Sequence, residues 1–352
     1  MLKRSPIDAA HRALGAKMAP FAGWDMPISY EGTIAEHLNV RERAGIFDVS
    51  HLGKLLVRGA GAAAFLDEQL SNRMADVRPG RARYTLILND DAGIVDDLIV
   101  YGIGEGELLV VPNAANMDAV AQRLEVAAPE DVRVERLDWS TIAVQGPSAS
   151  EVVAERYPVA KDLGYMQVAR EGDSVVARSG YTGERGFEVF TPASDALSAW
   201  EELLAGVRSA GGGACGLAAR DTLRLEMGYP LHGNDIDAGT TPAEAGLMWA
   251  VKTEDRTFPG RDALLDRPPE RALVGLRMSD RVIPRRGCLV LDQERVVGEC
   301  TSGTFSPSLK IGIALAYVAV GAADRSTLTV DVRGKRRSAE VVRPPFVERS
   351  PR

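Results

Sequence analysis

The chain has 352 residues, of which 45% are hydrophobic, so it can bury more than one apolar core, and its length predicts two or three domains. Its formal net charge of −7 argues against a general nucleic-acid or membrane-surface binder, although a basic pocket for an anionic small molecule stays compatible with it. Cys215, Cys288 and Cys300 are widely spaced, which argues against a disulfide scaffold or a structural zinc site and favours a reducing compartment with three packing cysteines.

Regular patterning begins after Lys54. It predicts a strand, a helix, three strands, a helix and a strand, over residues 55–58, 62–70, 83–88, 94–101, 108–111, 114–127 and 132–137. Residues 89–93, Asn-Asp-Asp-Ala-Gly, have the composition of a hairpin loop. This order matches a ferredoxin-like split unit with one extra strand.

The pattern changes after Trp139. A Gly-rich turn leads into an apolar run that ends at Phe190, and helices are predicted over 194–210 and 216–227. Arg220 and Arg224 lie one turn apart on the second helix, and for Arg224 an exposed helix face with weak ion pairs is favoured. After two prolines, strand-like runs at 272–277, 289–291, 311–320 and 328–332 predict a small all-β module.

One predicted strand of the ferredoxin-like unit carries two adjacent carboxylates in an apolar run. Because side chains alternate along a strand, Asp96 shares a face with Leu98 and Val100, and Asp97 shares the opposite face with Ile99. A carboxylate among apolar neighbours either finds hydrogen-bond partners or has a raised pKa. Both positions therefore need a structural or functional explanation.

Two roles are open to this pair. One carboxylate can cap a turn or pair with an arginine such as Arg81 or Arg83. The other can then face a cleft, where a desolvated carboxylate can hold or activate a cationic or amine-bearing reactant. Glu188 is a similar charge in a strand-like run, and from its pattern alone the solvent face of an edge strand and a functional role are equally supported.

Several other motifs carry little functional weight. Residues 59–64 match a dinucleotide-binding fingerprint, but a hairpin follows them instead of a parallel strand, so a plain turn is favoured. The histidines, residues 11, 37, 51 and 232, lack the spacing of a helical metal site. His51 either lines a site or is a hydrogen-bonded structural residue. No segment approaches the roughly 18 apolar residues that span a bilayer, so a cytoplasmic protein is expected.

Eight segments in order resemble those of the folate-binding aminomethyltransferase family, the T-protein of the glycine cleavage system. They are residues 21–27, 44–51, 93–101, 144–147, 180–184, 216–226, 232–236 and 301–309. Each motif is weak alone, but their shared order and spacing make the resemblance specific, and it covers nearly the whole chain.

The resemblance implies an α+β fold with three domains around a central channel. A discontinuous first folate-binding domain would comprise residues 1–50 and 137–245, a ferredoxin-like middle domain 51–136 and 246–275, and a C-terminal β-barrel or jelly-roll-like domain 276–352. The implied reaction takes the aminomethyl group from the lipoyl arm of H-protein to tetrahydrofolate and releases ammonia. It gives 5,10-methylenetetrahydrofolate and dihydrolipoyl H-protein, with no metal, nucleic acid or membrane involved.

The resemblance also implies site residues. Asp96 matches the family's catalytic carboxylate, which would stabilise the electron-poor carbon left when ammonia departs. Asp97 is then the structural partner of Asp96. Glu188 matches the pterin-binding glutamate, whose carboxylate can accept the N–H donors of an aminopyrimidine edge. Arg220 matches a folate-site arginine, and Tyr84 and Asn113 fall where the family lines the same cleft.

Two alternatives stay open. One is a tetrahydrofolate-dependent demethylase of a small substrate on the same scaffold. The other is a non-catalytic folate-binding protein or RNA-modification helper, although the Lys-Gly-Cys-Tyr-x-Gly-Gln-Glu motif of those relatives is absent from this sequence.

Overall fold

A computed structural model describes residues 1–351. This part of the chain contains nine α-helices: α1 (Asp8–Ala13), α2 (Thr33–Glu42), α3 (Ala62–Gln69), α4 (Met117–Ala127), α5 (Ala149–Arg156), α6 (Ala196–Ser209), α7 (Leu217–Glu226), α8 (Arg261–Asp266) and α9 (Val320–Ala323). Short 3-10 turns lie at Pro158–Asp162 and Met248–Ala250. None of the helices within residues 1–351 combines the length and apolar character that crossing a membrane requires.

The strands of residues 1–351 fall into four sheets. They are β1 (Lys3–Arg4), β2 (Lys17–Phe21), β3 (Trp24–Ser29), β4 (Gly45–Asp48), β5 (Leu55–Arg58), β6 (Ala82–Leu88), β7 (Ile94–Gly104), β8 (Glu107–Val111), β9 (Arg133–Arg136), β10 (Trp139–Gln145), β11 (Val168–Glu171), β12 (Ser174–Ala177), β13 (Gly186–Pro192), β14 (Gly213–Ala214), β15 (Arg271–Met278), β16 (Leu289–Asp292), β17 (Arg295–Ser306), β18 (Ile311–Ala319), β19 (Thr327–Val332) and β20 (Lys335–Val342).

The chain divides into two compact units. One contains Met1–Ile87 and Asp96–Arg220, and the other contains Leu88–Val95 and Asp221–Arg349. The α+β fold class and the C-terminal barrel are confirmed. The three-domain boundaries stay a prediction.

The ferredoxin-like unit is a five-stranded sheet of order β6-β7-β8-β5-β9. Its elements follow the predicted sequence of strand, helix, three strands, helix and strand, with the extra strand β6 at one edge. Strand β5 pairs antiparallel with both β8 and β9, so the turn at Gly59 lacks the parallel strand that a dinucleotide site would need. The plain-turn interpretation of this segment is therefore confirmed.

A six-stranded sheet of order β11-β12-β13-β10-β4-β14 forms the second layer of the first unit. Helix α6 is amphipathic, with buried residues at helical spacing that include Trp200, Leu203 and Val207, and these join the core of this sheet. A second buried cluster includes Tyr101 and Leu109 of the five-stranded sheet and Val175 and Phe190 of the six-stranded sheet. Shared apolar burial thus fixes β7 relative to β13, and these two strands carry the candidate site.

Strands β15 to β20 close into a barrel of order β15-β18-β17-β16-β19-β20, in which β15 pairs with β20. The predicted all-β module is confirmed, but two of its strands were not predicted. In β17 the apolar alternation is broken by glycines such as Gly298 and Gly303, and β20 begins with the exposed charges Lys335 and Arg336. Such strands become recognisable only through pairing with their neighbours.

The expectation of an exposed face at Arg224 is wrong. Arg224 is 1% exposed and binds Asp235 at 2.7 Å, Ser302 at 2.8 Å and Asp221 at 2.8 Å. Asp235 also accepts a hydrogen bond from the hydroxyl of Ser302 at 2.9 Å. A buried charge needs its partners, so this network has a structural role in the second unit.

Candidate active site

Asp96 lies in β7 with its side chain on the buried face. It is 0% exposed, and the burial of alternate residues along β7 agrees with the predicted opposite faces of Asp96 and Asp97. Three donors bind its carboxyl group: the backbone N–H of Asn113 at 2.9 Å, the amide of Asn113 at 2.8 Å and the amide of Asn116 at 2.7 Å. Both asparagines belong to the turn between β8 and α4, so one turn holds the carboxyl group in a fixed orientation.

The environment of Asp96 favours its neutral form. Burial and then the nearby charge of Asp97 raise its pKa to about 8, while the hydrogen bonds from Asn113 and Asn116 act in the opposite direction. A carboxyl group with a pKa near neutrality can change protonation state under ordinary conditions. This property is typical of groups that take part in catalysis.

Asp97 contacts two of the predicted cleft residues. Its carboxylate accepts a hydrogen bond from the Tyr84 hydroxyl at 3.0 Å and from the Asn113 amide at 2.9 Å. Burial and the Asp97 charge raise the pKa of Tyr84 well above its ordinary value, so this phenol keeps its proton. Arg83 instead contacts Asp76 and the carbonyl of Arg73, so the alternative of an Asp97–Arg83 pair is wrong.

Glu188 is buried in the middle of β13 and is 6% exposed, so the edge-strand interpretation is wrong. Its partners across the sheet are two small residues, Ala143 of β10 and Ala177 of β12. The Tyr101 hydroxyl at 3.1 Å and the Ser179 hydroxyl at 2.5 Å both donate to its Oε2 atom. Glu188 is thus fixed through one oxygen.

Arg220 lies close to this carboxylate. Its guanidinium stacks on the Tyr181 ring, 4.8 Å from the centroid, and its buried Nη1 atom has no hydrogen-bond partner within residues 1–351. Burial lowers the pKa of Arg220, and the negative charge of Glu188 opposes this effect. A stacked cation with an unused donor is suited to an acceptor atom of a ligand.

These groups belong to one compact unit and are connected. The charge of ionised Asp96 raises the pKa of Tyr84. The hydroxyl of Tyr101, which lies on the same strand as Asp96, donates to Glu188. All five predicted site residues lie in the first unit. Tyr84 lies on β6, Asp96 on β7, Asn113 in the turn between β8 and α4, Glu188 on β13 and Arg220 in α7.

Several residues that complete the arrangement were not predicted from sequence. They are Asn116, Tyr101, Ser179 and Tyr181. For Asn116 a signal existed, because the segment Asn-Ala-Ala-Asn follows a strand and begins a helix, where amide side chains are frequent. Its contact with Asp96 depends on the pairing of β7 with β8. The local sequence around Asn116 does not predict this pairing.

Residues 1–351 contain no group of three or more His, Cys, Asp or Glu side chains that could hold a metal ion. Cys215 and Cys300 are buried, Cys288 is half-buried, and all three are free thiols. Burial raises the pKa of Cys300 to about 12, so it stays a protonated packing residue.

Comparison with known proteins agrees with this organisation. Residues 7–255 match the GCVT N-terminal domain model, and residues 271–348 match the glycine cleavage T-protein C-terminal barrel domain. The chain is 47% identical over 98% of its length to the aminomethyltransferase of Mycobacterium avium (strain 104), covering 97% of that protein. It is also 47% identical over its full length to that of Parafrankia sp. (strain EAN1pec), covering 99% of that relative.

A solved structure gives the same result. The crystal structure of glycine cleavage system aminomethyltransferase T from Bartonella henselae superposes with a TM-score of 0.95 at 39% identity, over 99% of each chain. Domain matches, full-length relatives and fold agree. The chain belongs to the glycine cleavage T-protein family.

Proposed function

We propose that this protein is a tetrahydrofolate-dependent aminomethyltransferase. It takes the one-carbon unit from aminomethyl-dihydrolipoyl H-protein and transfers it to tetrahydrofolate, with release of ammonia, 5,10-methylenetetrahydrofolate and dihydrolipoyl H-protein. The observation that carries the proposal is the buried Asp96 carboxyl group, oriented by three donors of a single turn. The family membership of the whole chain supports it.

Asp96 is the proposed catalytic residue. When ammonia leaves the carried carbon, that carbon becomes electron-poor, and a fixed carboxylate beside it stabilises the positive charge. Orientation by Asn113 and Asn116 keeps the reorganisation small, because the carboxyl group is already in place before the reaction and these donors favour its ionised form. With a pKa near 8, the same group can also exchange a proton with a departing or attacking amine.

Glu188 and Arg220 are the proposed recognition residues for the folate substrate. Both donors on Glu188 bind one oxygen, and the second oxygen suits the N–H donors of an aminopyrimidine edge. The unused Nη1 donor of Arg220 suits a carbonyl or anionic acceptor on the same molecule. Tyr84 and Asn113 complete the cleft, and the Tyr84 ring offers area for stacking.

The proposed reaction needs no metal, nucleic acid or membrane, and we assign it to the cytoplasm. The bound tetrahydrofolate supplies the nitrogen nucleophiles that accept the carbon. The groups of this chain bind that molecule, orient it and stabilise charge.

The decisive experiment supplies aminomethylated lipoyl H-protein and tetrahydrofolate and measures ammonia release. The wild-type protein should release ammonia in proportion to enzyme concentration. The variant Asp96→Asn should lose nearly all activity while its thermal unfolding midpoint stays within a few degrees of wild type. Near-normal activity of this variant would remove Asp96 from the proposed role.

A matched control is Asp97→Asn, which removes the neighbouring charge on the opposite face of β7. It should retain transfer, with a pH dependence moved to lower pH, because Asp97 acts on Asp96 through its charge and through the shared Asn113 amide. Folate binding without ammonia release at any wild-type concentration would contradict the proposal. That result would favour the demethylase or the non-catalytic folate-binding protein.

A further inference from the structure

His51 differs from a structural histidine of the same unit. His11 is fully buried and uses both ring nitrogens, since Nε2 contacts Asp48 at 2.8 Å and Nδ1 contacts the Tyr30 hydroxyl at 2.9 Å. His51 is 6% exposed, and its buried Nδ1 has no hydrogen-bond partner within residues 1–351. An unsatisfied buried nitrogen is costly for the folded protein, so its retention needs a reason.

His51 is connected to the turn that holds Asp96 and to Arg220. Two residues later, the N–H of Gly53 donates to the carbonyl of Pro112 at 2.9 Å, immediately before Asn113. A Cβ atom at Gly53 would clash with side-chain atoms of Pro112 and Met117, so glycine favours this close approach to the turn that holds Asp96. His51 is thereby anchored beside that turn.

The charge of Arg220, a residue of the candidate site, acts on His51. Burial and then the Arg220 charge lower the pKa of His51 to about 3, so the imidazole stays neutral throughout the physiological range. The Phe21 ring packs edge-to-face on the imidazole with centroids 5.3 Å apart. A neutral ring offers one donor and one acceptor, held in place by an aromatic neighbour.

We propose that His51 is a ligand-contacting residue, which hydrogen-bonds a neutral polar group of the folate substrate beside the acceptor that Arg220 binds. The inference rests on the proposed function, since tetrahydrofolate is the ligand. That molecule carries amide-type N–H and C=O groups on its pteridine ring and at its benzoyl amide, and these match a neutral imidazole. His51 discriminates against ligands that lack such a group, because they leave the imidazole unpaired.

The test compares His51→Phe, which keeps a ring and removes both nitrogens, with His51→Gln, which keeps a neutral donor and acceptor. Tetrahydrofolate binding is measured by equilibrium titration, and unfolding of the ligand-free proteins by thermal scan. We expect His51→Phe to weaken binding about tenfold to a hundredfold and His51→Gln to recover most of the loss. The unfolding midpoint of ligand-free His51→Phe should equal or exceed that of wild type, because an unsatisfied nitrogen is replaced by an apolar ring.

Two outcomes overturn the inference. One is tetrahydrofolate binding by His51→Phe as tight as that of wild type, and the other is a clearly lowered unfolding midpoint, which would mean that His51 supports the fold. Failure of the wild-type protein to bind tetrahydrofolate at millimolar concentration would instead refute the proposed function. The two failures are therefore distinguishable.

Discussion

Asn116 should control the pH at which the enzyme becomes active. If the reaction needs ionised Asp96, activity rises as pH passes the pKa of that group, which lies at about 8. The Asn116 amide donates to Asp96 at 2.7 Å and favours the ionised form. Substituting Asn116→Ala removes this donor, so the pKa of Asp96 rises and activity should appear only at higher pH.

The size of this change follows from the geometry. A hydrogen bond to a charged group contributes about 1.5–3 kcal/mol. One pKa unit corresponds to about 1.4 kcal/mol, so the ascending limb of the pH–rate profile should move upward by about one to two units. At neutral pH the rate should fall about tenfold for each unit, and it should recover in alkaline buffer.

Asp97→Asn provides the opposite perturbation. The charge of Asp97 is the second cause, after burial, of the raised pKa of Asp96. Its removal should move the ascending limb to lower pH. Two neighbouring substitutions that shift one profile in opposite directions cannot both act through loss of folding.

The assay is kcat for ammonia release with both substrates saturating, from pH 6 to 10. Asp195→Ala is the control, because Asp195 precedes α6 as Asn116 precedes α4, with similar backbone angles and no side-chain cap bond. Unlike Asn116, Asp195 is exposed and is not a hydrogen-bond partner of Asp96. The control should leave the profile unchanged. If the ascending limb of the pH–rate profile of Asn116→Ala stays at the same pH as in wild type, the reasoning is refuted.

Three further predictions follow from other contacts. Glu188→Gln should raise KM for tetrahydrofolate at least about tenfold with a smaller effect on kcat, and an unchanged KM would remove Glu188 from recognition. Burial would raise the pKa of Asp48, but the contact with His11 and the hydrogen bonds from Ser5 and Ser50 together lower the pKa to about 2. These contacts stabilise the fold above pH 3.8, and their contribution is lost as pH falls towards 2. Denaturant unfolding between pH 2 and 5 should show a loss of about 2 kcal/mol that is absent in Asp48→Asn. Asp235→Asn should lower the free energy of unfolding by about 3–5 kcal/mol, because Arg224 then loses its buried carboxylate and keeps only the more exposed carboxylate of Asp221. A loss below about 1 kcal/mol would contradict this account.

Much of the fold was predictable because its signals are local. Alternating apolar residues and turn-forming loops gave the elements of the five-stranded sheet in their correct order. The same alternation assigned Asp96 to the buried face and Asp97 to the opposite one. The resemblance of eight ordered segments then identified the family. The local sequence of these segments does not show what their residues do.

Tertiary structure decided which partners these residues meet. Asn116 reaches Asp96 only because β8 pairs with β7, and Glu188 reaches Tyr101 only because two sheets pack through a shared apolar core. Arg224 has the local pattern of an exposed helix, yet it is buried because Asp235 and Ser302 arrive from distant segments. The periodicity of a sequence records which side of an element is buried. Hydrogen-bond partners, and hence the pKa of a carboxyl group, are set by contacts between residues that are far apart in the chain. Local sequence patterns do not record these contacts.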